Sequence, residues 1–212
     1  MKKRNKGLFV TFEGGEGAGK TTLINHVFDS LTAKGHSVVK TLEPGGTKLG
    51  KSIRELLLHQ EETPVSKRCE LFLFLADRAH HVHEVLIPAL DEGKIVLCDR
   101  YNDSTLAYQG AARSLDVKLL RLLCAGATEG LTPDLTLFLD LDPKVGLQRA
   151  KKNDVHDRLE KENLDFHTKV REGFHSLAEE EPERFHMIDA SQDIDTVCAK
   201  AMTEIESVLC LK

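Results

Sequence analysis

The sequence predicts an α/β fold in which a parallel sheet of five strands is covered by helices on both faces. Short apolar runs alternate along the chain with longer segments of helical spacing. The short runs are apolar throughout, which is typical of strands buried on both faces of a parallel sheet. Ligands of such sheets bind at the carboxyl ends of the strands, so we expect the functional residues there.

The predicted strands and helices follow one another in a regular order. Apolar runs predict strands at residues 7–13, 37–42, 95–98, 135–139 and 185–188. Helices are predicted at about 21–34, 49–59, 66–91 and 104–127, with further helices before and after the fifth strand. Gly35 is expected to end the first helix. Pro88 is expected to bend the long third helix, because proline cannot donate the helical hydrogen bond.

Composition and charge argue against several classes of function. The chain has 212 residues, enough for one domain with its own core, and a formal net charge of −5. Such a chain has no overall attraction for nucleic acid or anionic lipid, so a local cluster must hold any phosphate that it binds. No run approaches the roughly 18 to 20 apolar residues of a membrane span, and the basic run 2–4 precedes no signal-like segment. We therefore expect a soluble cytoplasmic protein without nucleic-acid or membrane partners.

The cysteines and histidines form no metal-binding pattern. The five cysteines are scattered and lack Cys-x-x-Cys spacing, which predicts buried free thiols in a reducing compartment. His80, His81 and His83 are crowded, but neighbouring positions on a helix do not share a face. No zinc site is expected.

Residues 14–21 (GGEGAGKT) match the phosphate-loop pattern G-x-x-x-x-G-K-[ST]. Glycines let backbone N–H groups surround phosphates, Lys20 can reach the β and γ oxygens, and the Thr21 hydroxyl is placed for Mg²⁺. The following helix directs its positive end at the same anion. The alternative is a glycine-rich turn with an exposed lysine. The predicted ATP-binding residues are Gly14, Gly15, Glu16, Gly17, Ala18, Gly19, Lys20, Thr21 and Thr22.

A phosphate loop indicates nucleotide binding, but does not distinguish a kinase from a GTPase. A GTPase would also need Asp-x-x-Gly and Asn-Lys-x-Asp motifs. No Asp in the chain has Gly three positions later, and its one Asn-Lys pair, at residues 5–6, precedes the loop. These observations favour a kinase.

Two further patterns indicate an acceptor site. Asp99-Arg100-Tyr101 follows the third strand, where an Asp can hold Mg²⁺ and an Arg can bridge two phosphates. A strand-end ion pair is the alternative. Phe74 and Arg78 are four residues apart on one helix face, offering a flat ring for a base and a fork for a phosphate. Taken alone, this pair is a weak indication, because a Phe at such a position more often belongs to the core.

Across nearly its whole length the sequence resembles the bacterial thymidylate kinases. The matching segments are FEGGEGAGKTT (12–22), EPGGT (43–47), LFLFLADRAHH (71–81), DRYNDSTLAYQG (99–110), PDLTLFLDLDP (133–143) and DRLE (157–160). The phosphate loop alone is generic, whereas DRY followed by S-T-x-A-Y-Q-G is specific to this family. The resemblance implies a single P-loop kinase domain over 1–212, with three layers and a small lid at about 151–159.

The resemblance also implies roles for individual residues. Phe74 would stack on thymine, and Arg78, Thr105 and Gln109 would read its edge. Tyr108 would crowd the sugar 2′ position, although it could be core. Thr105 and Gln109 could instead face solvent. The remaining implied roles are acceptor-phosphate binding by Arg54 and Arg100, Mg²⁺ binding by Thr21 and Asp99, and lining of the acceptor pocket by Glu43.

The lid is the segment in which the match is weakest. The phosphate loop has no arginine, so the lid is expected to supply the positive charge for the transferring phosphoryl group. Arg158 matches a lid arginine of the family, and Lys151 or Lys152 could take part as point charges.

The implied reaction is ATP + dTMP giving ADP + dTDP, a step toward dTTP for DNA replication, with Mg²⁺ as cofactor. Lys20, Arg100, Asp99 and Arg158 are the predicted catalytic residues, and a homodimer is expected. The rival hypotheses are a kinase for another nucleotide or nucleoside, and a regulatory protein that binds ATP without turnover.

Overall fold

The computed structural model describes residues 6–58, 65–150 and 158–211. Within these ranges the chain forms one parallel sheet of five strands in the order β2-β3-β1-β4-β5. Every neighbouring pair of strands is parallel. The strands are β1 Leu8–Glu13, β2 Val38–Leu42, β3 Ile95–Asp99, β4 Leu135–Asp140 and β5 Phe185–Asp189. The predicted fold class and all five predicted strands are confirmed.

Helices connect the strands and cover both faces of the sheet. They are α1 Lys20–Ala33, α2 Lys48–Leu58, α3 Lys67–His81, α4 Ile87–Asp91, α5 Asn102–Thr105, α6 Val117–Ala127, α7 Pro143–Ala150, α8 Leu164–Glu180 and α9 Ile194–Leu209. π-Helical segments lie at Val82–Leu86 and Leu106–Ala112. None of the helices in the described ranges is long and apolar enough to cross a membrane.

Alternate residues of the strands enter different cores, which produces the three layers. Leu137 of β4 packs in one core with side chains of α1 and α9, including Val27 and Ile205. Its neighbour Phe138 packs in another core with Phe174 of α8, among side chains of α2, α3 and α6. Successive strand residues point to opposite faces, so burial of both faces requires the apolar runs seen in the sequence.

The long predicted helix at 66–91 is helical throughout, but it contains a π-helical turn. Ser66 caps its start, accepting a hydrogen bond from the Cys69 backbone at 3.3 Å. The π-helical turn Val82–Leu86 comes directly before Pro88. Proline removes a backbone donor and crowds the preceding turn, and a π turn accommodates both effects. The helical segment is confirmed with a π turn that begins before the proline, while the bend expected at Pro88 stays a prediction.

Two expectations about burial are wrong in part. In the part of the chain that the structure describes, β2 is an edge strand that pairs only with β3, and its Leu42 is exposed. Among the cysteines, Cys98 and Cys124 are buried as expected, but Cys69 and Cys210 are exposed. Cys69 lies in the first turn of α3 beside the buried Leu71, where the helix turns neighbouring side chains to different faces.

Candidate active site

A cleft of about 400 Å³ opens at the carboxyl ends of β1, β2 and β3. The phosphate loop forms one wall, and α2, α3 and the segment after β3 form the others. The structure thus brings every predicted acceptor-side residue into one cleft with the phosphate loop. These residues are Glu43, Arg54, Phe74, Arg78, Asp99, Arg100, Thr105, Tyr108 and Gln109.

The phosphate loop is held in place by a close approach to α7. Gly17 has a positive φ of 66°, and a Cβ there would lie 2.1 Å from the Gly146 carbonyl oxygen. A Cβ on Gly146 would in turn lie 2.3 Å from the Glu16 carbonyl oxygen. Because a side chain at either position would collide with backbone, both glycines are required for this contact.

Lys20 begins α1 and folds back over the loop. Its Nζ donates to the carbonyl oxygens of Gly14 at 3.1 Å and Gly15 at 3.0 Å. Burial lowers the pKa of Lys20, and the neighbouring Arg100 lowers it further, while Asp99 opposes both. A phosphate entering the loop would add negative charge beside the ammonium group and favour its charged form.

Thr21 and Asp99 form a pair of oxygen donors between the loop and β3. The Thr21 hydroxyl donates to Asp99 Oδ2 at 3.1 Å. Mg²⁺ prefers oxygen ligands and is commonly held by one or two such protein groups together with substrate phosphates. This pair of residues therefore fits the predicted metal ion.

Arg100 turns into the cleft directly after β3. It has a φ of 70°, a conformation that non-glycine residues rarely adopt and that occurs preferentially at functional sites. Its guanidinium donates to the Gly14 carbonyl oxygen at 3.0 Å and to Glu16 Oε1 at 2.7 Å. It also lies over the Tyr108 ring, 5.0 Å from the centroid. Arg100 thus joins the phosphate loop to the acceptor side of the cleft.

The Glu16 carboxylate belongs to the acceptor side, although the sequence analysis placed this residue only in the ATP-binding loop. It accepts hydrogen bonds from Arg100 and, at 2.7 Å, from the Tyr108 hydroxyl. Burial raises the pKa of Glu16, but Arg100, Lys20 and the hydrogen bond from Tyr108 outweigh burial and lower it to about 2. Glu16 therefore presents a negative charge near neutral pH.

A buried ion pair connects the loop after β2 with α3. Arg78 Nε donates to Glu43 Oε2 at 2.6 Å, and both side chains are buried. Arg78 also donates to the Thr105 hydroxyl at 2.8 Å and the Tyr101 carbonyl oxygen at 3.0 Å. The predicted pair of Arg78 and Thr105 is thus brought together, with the guanidinium fixed at the edge of the cleft.

His81 supports this pair and was not predicted as a site residue. Its Nδ1 donates to Glu43 Oε1 at 2.7 Å, and its Nε2 lies 2.7 Å from the Thr41 hydroxyl. His81 follows Arg78 by three residues, so it lies on the same side of α3. The spacing of three residues from Arg78 could have indicated His81 as a residue of the site.

The two aromatic residues of the site combine a core position with a place in the cleft. Phe74 is half-buried, packs against the core shared by α3 and α8, and lines the cleft. The Tyr108 ring is buried against the edges of Phe166 and Phe174, while its hydroxyl reaches Glu16. Phe74 and Tyr108 therefore belong to the core and line the cleft at the same time.

Arg158 does not line the cleft within the described residues. Its Nε donates to the Leu57 carbonyl oxygen at 3.0 Å, and its Nη2 pairs with Glu70 at 2.5 Å. Arg158 was expected at the phosphates, but in the structure its guanidinium lies on the buried Glu70 carboxylate, which attracts it. Lys151, Lys152 and most of the predicted lid lie outside the described residues.

A second cavity of about 320 Å³ adjoins the phosphate loop on its other side. It lies between the start of α1 and the segment that follows β5. Arg149 of α7 lines both this cavity and the main cleft, and donates to the Ala190 carbonyl oxygen at 3.3 Å. Arg149, Ala190 and Gln192, which line this cavity, were not among the residues predicted from the sequence. The position of residues 189–192 directly after a predicted strand could have indicated the last two.

Comparisons with known proteins give one consistent result. A family model described as thymidylate kinase matches residues 12–201. The chain is 53% identical over 209 residues to a thymidylate kinase of Desulfovibrio desulfuricans, covering 95% of this chain and 96% of that one. It is 49% identical over 209 residues to one of Protochlamydia amoebophila, covering 95% and 93%. A crystal structure of thymidylate kinase from Ehrlichia chaffeensis superposes with a TM-score of 0.77 at 32% identity, covering 94% and 98%.

Proposed function

Because this chain belongs to the thymidylate kinase family, we propose that its cleft transfers the γ-phosphoryl group of ATP to dTMP, giving ADP and dTDP. The observation that carries the proposal is the cleft itself, in which the phosphate loop faces the predicted acceptor residues. Arg100 spans the two sides, donating to the loop carbonyl of Gly14 and to Glu16. The reaction supplies dTDP for dTTP synthesis.

The side chains act by position and charge. Two phosphate groups repel each other, so their approach requires positive charge between and around them. Lys20 lies at the loop that would hold the ATP phosphates, and Arg100 and Arg54 lie toward the acceptor. The acceptor is already an anionic phosphate oxygen, so no general base is needed, and alignment with neutralisation accounts for most of the catalysis.

Mg²⁺ fits between Thr21 and Asp99, which would hold it together with phosphate oxygens of ATP. When bound, the ion supplies positive charge at those oxygens. The hydrogen bond from Thr21 to Asp99 keeps the two protein oxygens adjacent before any ligand enters.

The second cavity is proposed to receive the nucleoside part of ATP. It adjoins the loop residues Ala18 and Gly19, so a nucleotide with its phosphates in the loop could extend into it. Arg149 borders both spaces and presents a planar guanidinium that can stack on a base. Gln192 offers an amide for hydrogen bonding.

The acceptor base is proposed to lie against Phe74, with Arg78, Thr105 and Gln109 at its edge. The Arg78 guanidinium donates hydrogen bonds, so it suits a carbonyl oxygen of thymine. Tyr108 has its ring packed in the core and its hydroxyl on Glu16, so it can limit the space beside the sugar.

The predicted lid at about 151–159 remains a proposal. For Arg158 to meet the transferring phosphoryl group, its guanidinium must leave Glu70, because the two are paired in the structure. Arg149 already borders the cleft and is an alternative source of positive charge. We further propose that residues 1–212 act as a single P-loop kinase domain in the cytoplasm.

A coupled assay of ADP release tests the function directly. ATP and Mg²⁺ would be supplied with dTMP, dUMP, UMP, CMP, AMP or thymidine in turn. Strong preference for dTMP is expected. Preference for another acceptor would overturn the assignment of the pocket, and ATP binding without any turnover would favour a regulatory protein.

An apolar surface on α3 and α6 supports a homodimer. Phe72 is 56% exposed, Leu119 50% and Leu122 72%, whereas Leu120 and Cys124 of the same segment are buried. The helices α3 and α6 contact each other, and exposed apolar side chains on neighbouring helices are typical of interaction surfaces. Leu122→Arg is expected to give monomers in size-exclusion chromatography with light-scattering detection. The control Met187→Arg, at an exposed residue of β5, should remain dimeric. A dimeric Leu122→Arg protein would place the interface elsewhere.

A further inference from the structure

Glu70 is a buried carboxylate just outside the cleft. It lies in the first turn of α3, four residues before Phe74 and eight before Arg78, so the three share one face of the helix. Its side chain is 1% exposed. Glu70 does not line the cleft among the described residues, yet it contacts a residue that does, namely Gln109.

The partners of Glu70 keep it ionised. Gln109 Nε2 donates to its Oε1 at 2.9 Å, and Arg158 pairs with its Oε2 at 2.5 Å. Arg113 reaches both oxygens at 3.4 Å. Burial raises the pKa of Glu70, but the hydrogen bond from Gln109 and the charges of Arg113 and Arg158 outweigh burial and lower it. An ionised carboxylate only accepts hydrogen bonds.

This contact determines which end of the Gln109 amide faces Glu70. An amide has a donor end and an acceptor end of nearly the same shape, and only the NH₂ end can bond to a carboxylate. With its NH₂ group on Glu70, Gln109 has its carbonyl oxygen left for a ligand in the cleft that it lines. The cleft therefore offers an acceptor from Gln109 beside the donors of Arg78.

Thymine and cytosine differ at the atoms that such a pair would meet. Thymine carries an N3–H donor next to a carbonyl at C4, whereas cytosine carries an N3 acceptor next to an amino group. A fixed carbonyl oxygen at Gln109 pairs with the thymine N3–H and opposes the cytosine N3. A site whose buried polar groups remain unpaired rejects the wrong ligand strongly.

We propose that Glu70 is a positioning residue that sets the preference for thymine over cytosine by holding the Gln109 amide in one orientation. The proposal rests on the proposed function, since it concerns the base of the acceptor. Glu70 touches no substrate and acts through Gln109. An ionised carboxylate is suited to this task because, unlike a second amide, it has no donor for the carbonyl oxygen of a flipped Gln109.

The test is a double-mutant cycle with Glu70→Gln and Gln109→Ala, measuring kcat/KM for dTMP and for dCMP. Glu70→Gln keeps the side-chain shape but can donate as well as accept, so the Gln109 amide is free to flip. We expect it to lower the ratio of kcat/KM for dTMP to that for dCMP about tenfold, with KM for ATP nearly unchanged. In the Gln109→Ala background the same change should leave the ratio unaltered.

Arg113→Gln provides the matched control, because it removes a charged partner of Glu70 and leaves the contact with Gln109. It should retain the wild-type ratio. An unchanged ratio in Glu70→Gln, or an equal fall in the Gln109→Ala background, would overturn the proposal. If Glu70→Gln does not fold, Glu70→Asp withdraws the carboxylate from Gln109 and must lower the ratio likewise. Failure of the wild-type protein to prefer dTMP would instead refute the proposed function.

Discussion

The phosphate loop is a run of eight neighbouring residues, whereas the acceptor side of the cleft collects side chains from four separate segments of the chain. The loop is shaped by glycine conformations and by the turn from β1 into α1, so its geometry is local. The acceptor side depends on contacts such as Arg78 with Glu43, which are 35 residues apart. The two sides should therefore respond differently to substitution.

Lys20→Ala is expected to have the largest effect. It removes a positive charge at the site of the transferred group, and loss of one such group costs on the order of 10³ in kcat. Circular dichroism should show an unchanged fold, because the two hydrogen bonds of Lys20 go to loop carbonyls of residues 14 and 15. Wild-type turnover in this variant would contradict the mechanism.

Glu13 ends β1 directly before the phosphate loop and accepts hydrogen bonds from Tyr101 and Ser104 of the segment after β3. Glu13→Gln tests how the ionisation of this buried side chain affects stability. Burial and the nearby Asp103 carboxylate raise the pKa of Glu13 to about 7 from an ordinary 4.5, against the hydrogen bond from Ser104. The folded protein then binds this proton more tightly than the unfolded chain. The stabilisation is complete below pH 4.5 and is lost as pH rises through 7, by up to about 3 kcal/mol.

Urea unfolding at pH 5 and pH 7.5 would measure this loss of stability. Glu13→Gln mimics the protonated group and should reduce the dependence between these two values, leaving the part due to Asp77, whose pKa burial and Glu43 raise to about 6. Glu172→Gln, at an exposed site on α8, serves as the control and should keep the wild-type dependence. If the free energy of unfolding changed equally between pH 5 and pH 7.5 in wild type and Glu13→Gln, Glu13 would not titrate in this range.

Phe74→Ala separates the two sides kinetically. Loss of a ring stacked on a base costs about 1–3 kcal/mol, so we expect KM for dTMP to rise roughly 10- to 100-fold. KM for ATP should change far less, because Phe74 belongs to the acceptor side. Equal increases in both would indicate that Phe74 serves only the core in which it also packs.

Gly146→Ala tests the contact between α7 and the backbone of the phosphate loop. The added Cβ meets the Glu16 carbonyl oxygen at 2.3 Å, so we expect about 1–3 kcal/mol lower stability and a higher KM for ATP. Gly126→Ala is the matched control, since nothing lies within 4 Å of its Cβ in α6. It should be neutral or slightly stabilising. Unchanged stability and ATP affinity in Gly146→Ala would mean that the loop adapts.

Segments whose geometry is local were predictable. The five strands and the turn of the phosphate loop follow from patterns within a few residues. The assembly of Phe74, Arg78, Thr105 and Gln109 into one cleft with the loop was also predicted, through the family resemblance. The exposure of β2 at the sheet edge was not predicted, because its apolar pattern does not show that the strand has a neighbour on one side only among the described residues.

The sequence by itself determined the fold class, the nucleotide loop and the identity of most residues in the cleft, because each depends on local patterns or on matched motifs. Tertiary structure alone decided how their charges pair. Glu16 turns to Arg100, His81 supports Glu43, and Arg158 lies on Glu70. A buried charge must find a partner wherever the fold brings one within reach, and these partners lie between 38 and 88 residues apart in the chain.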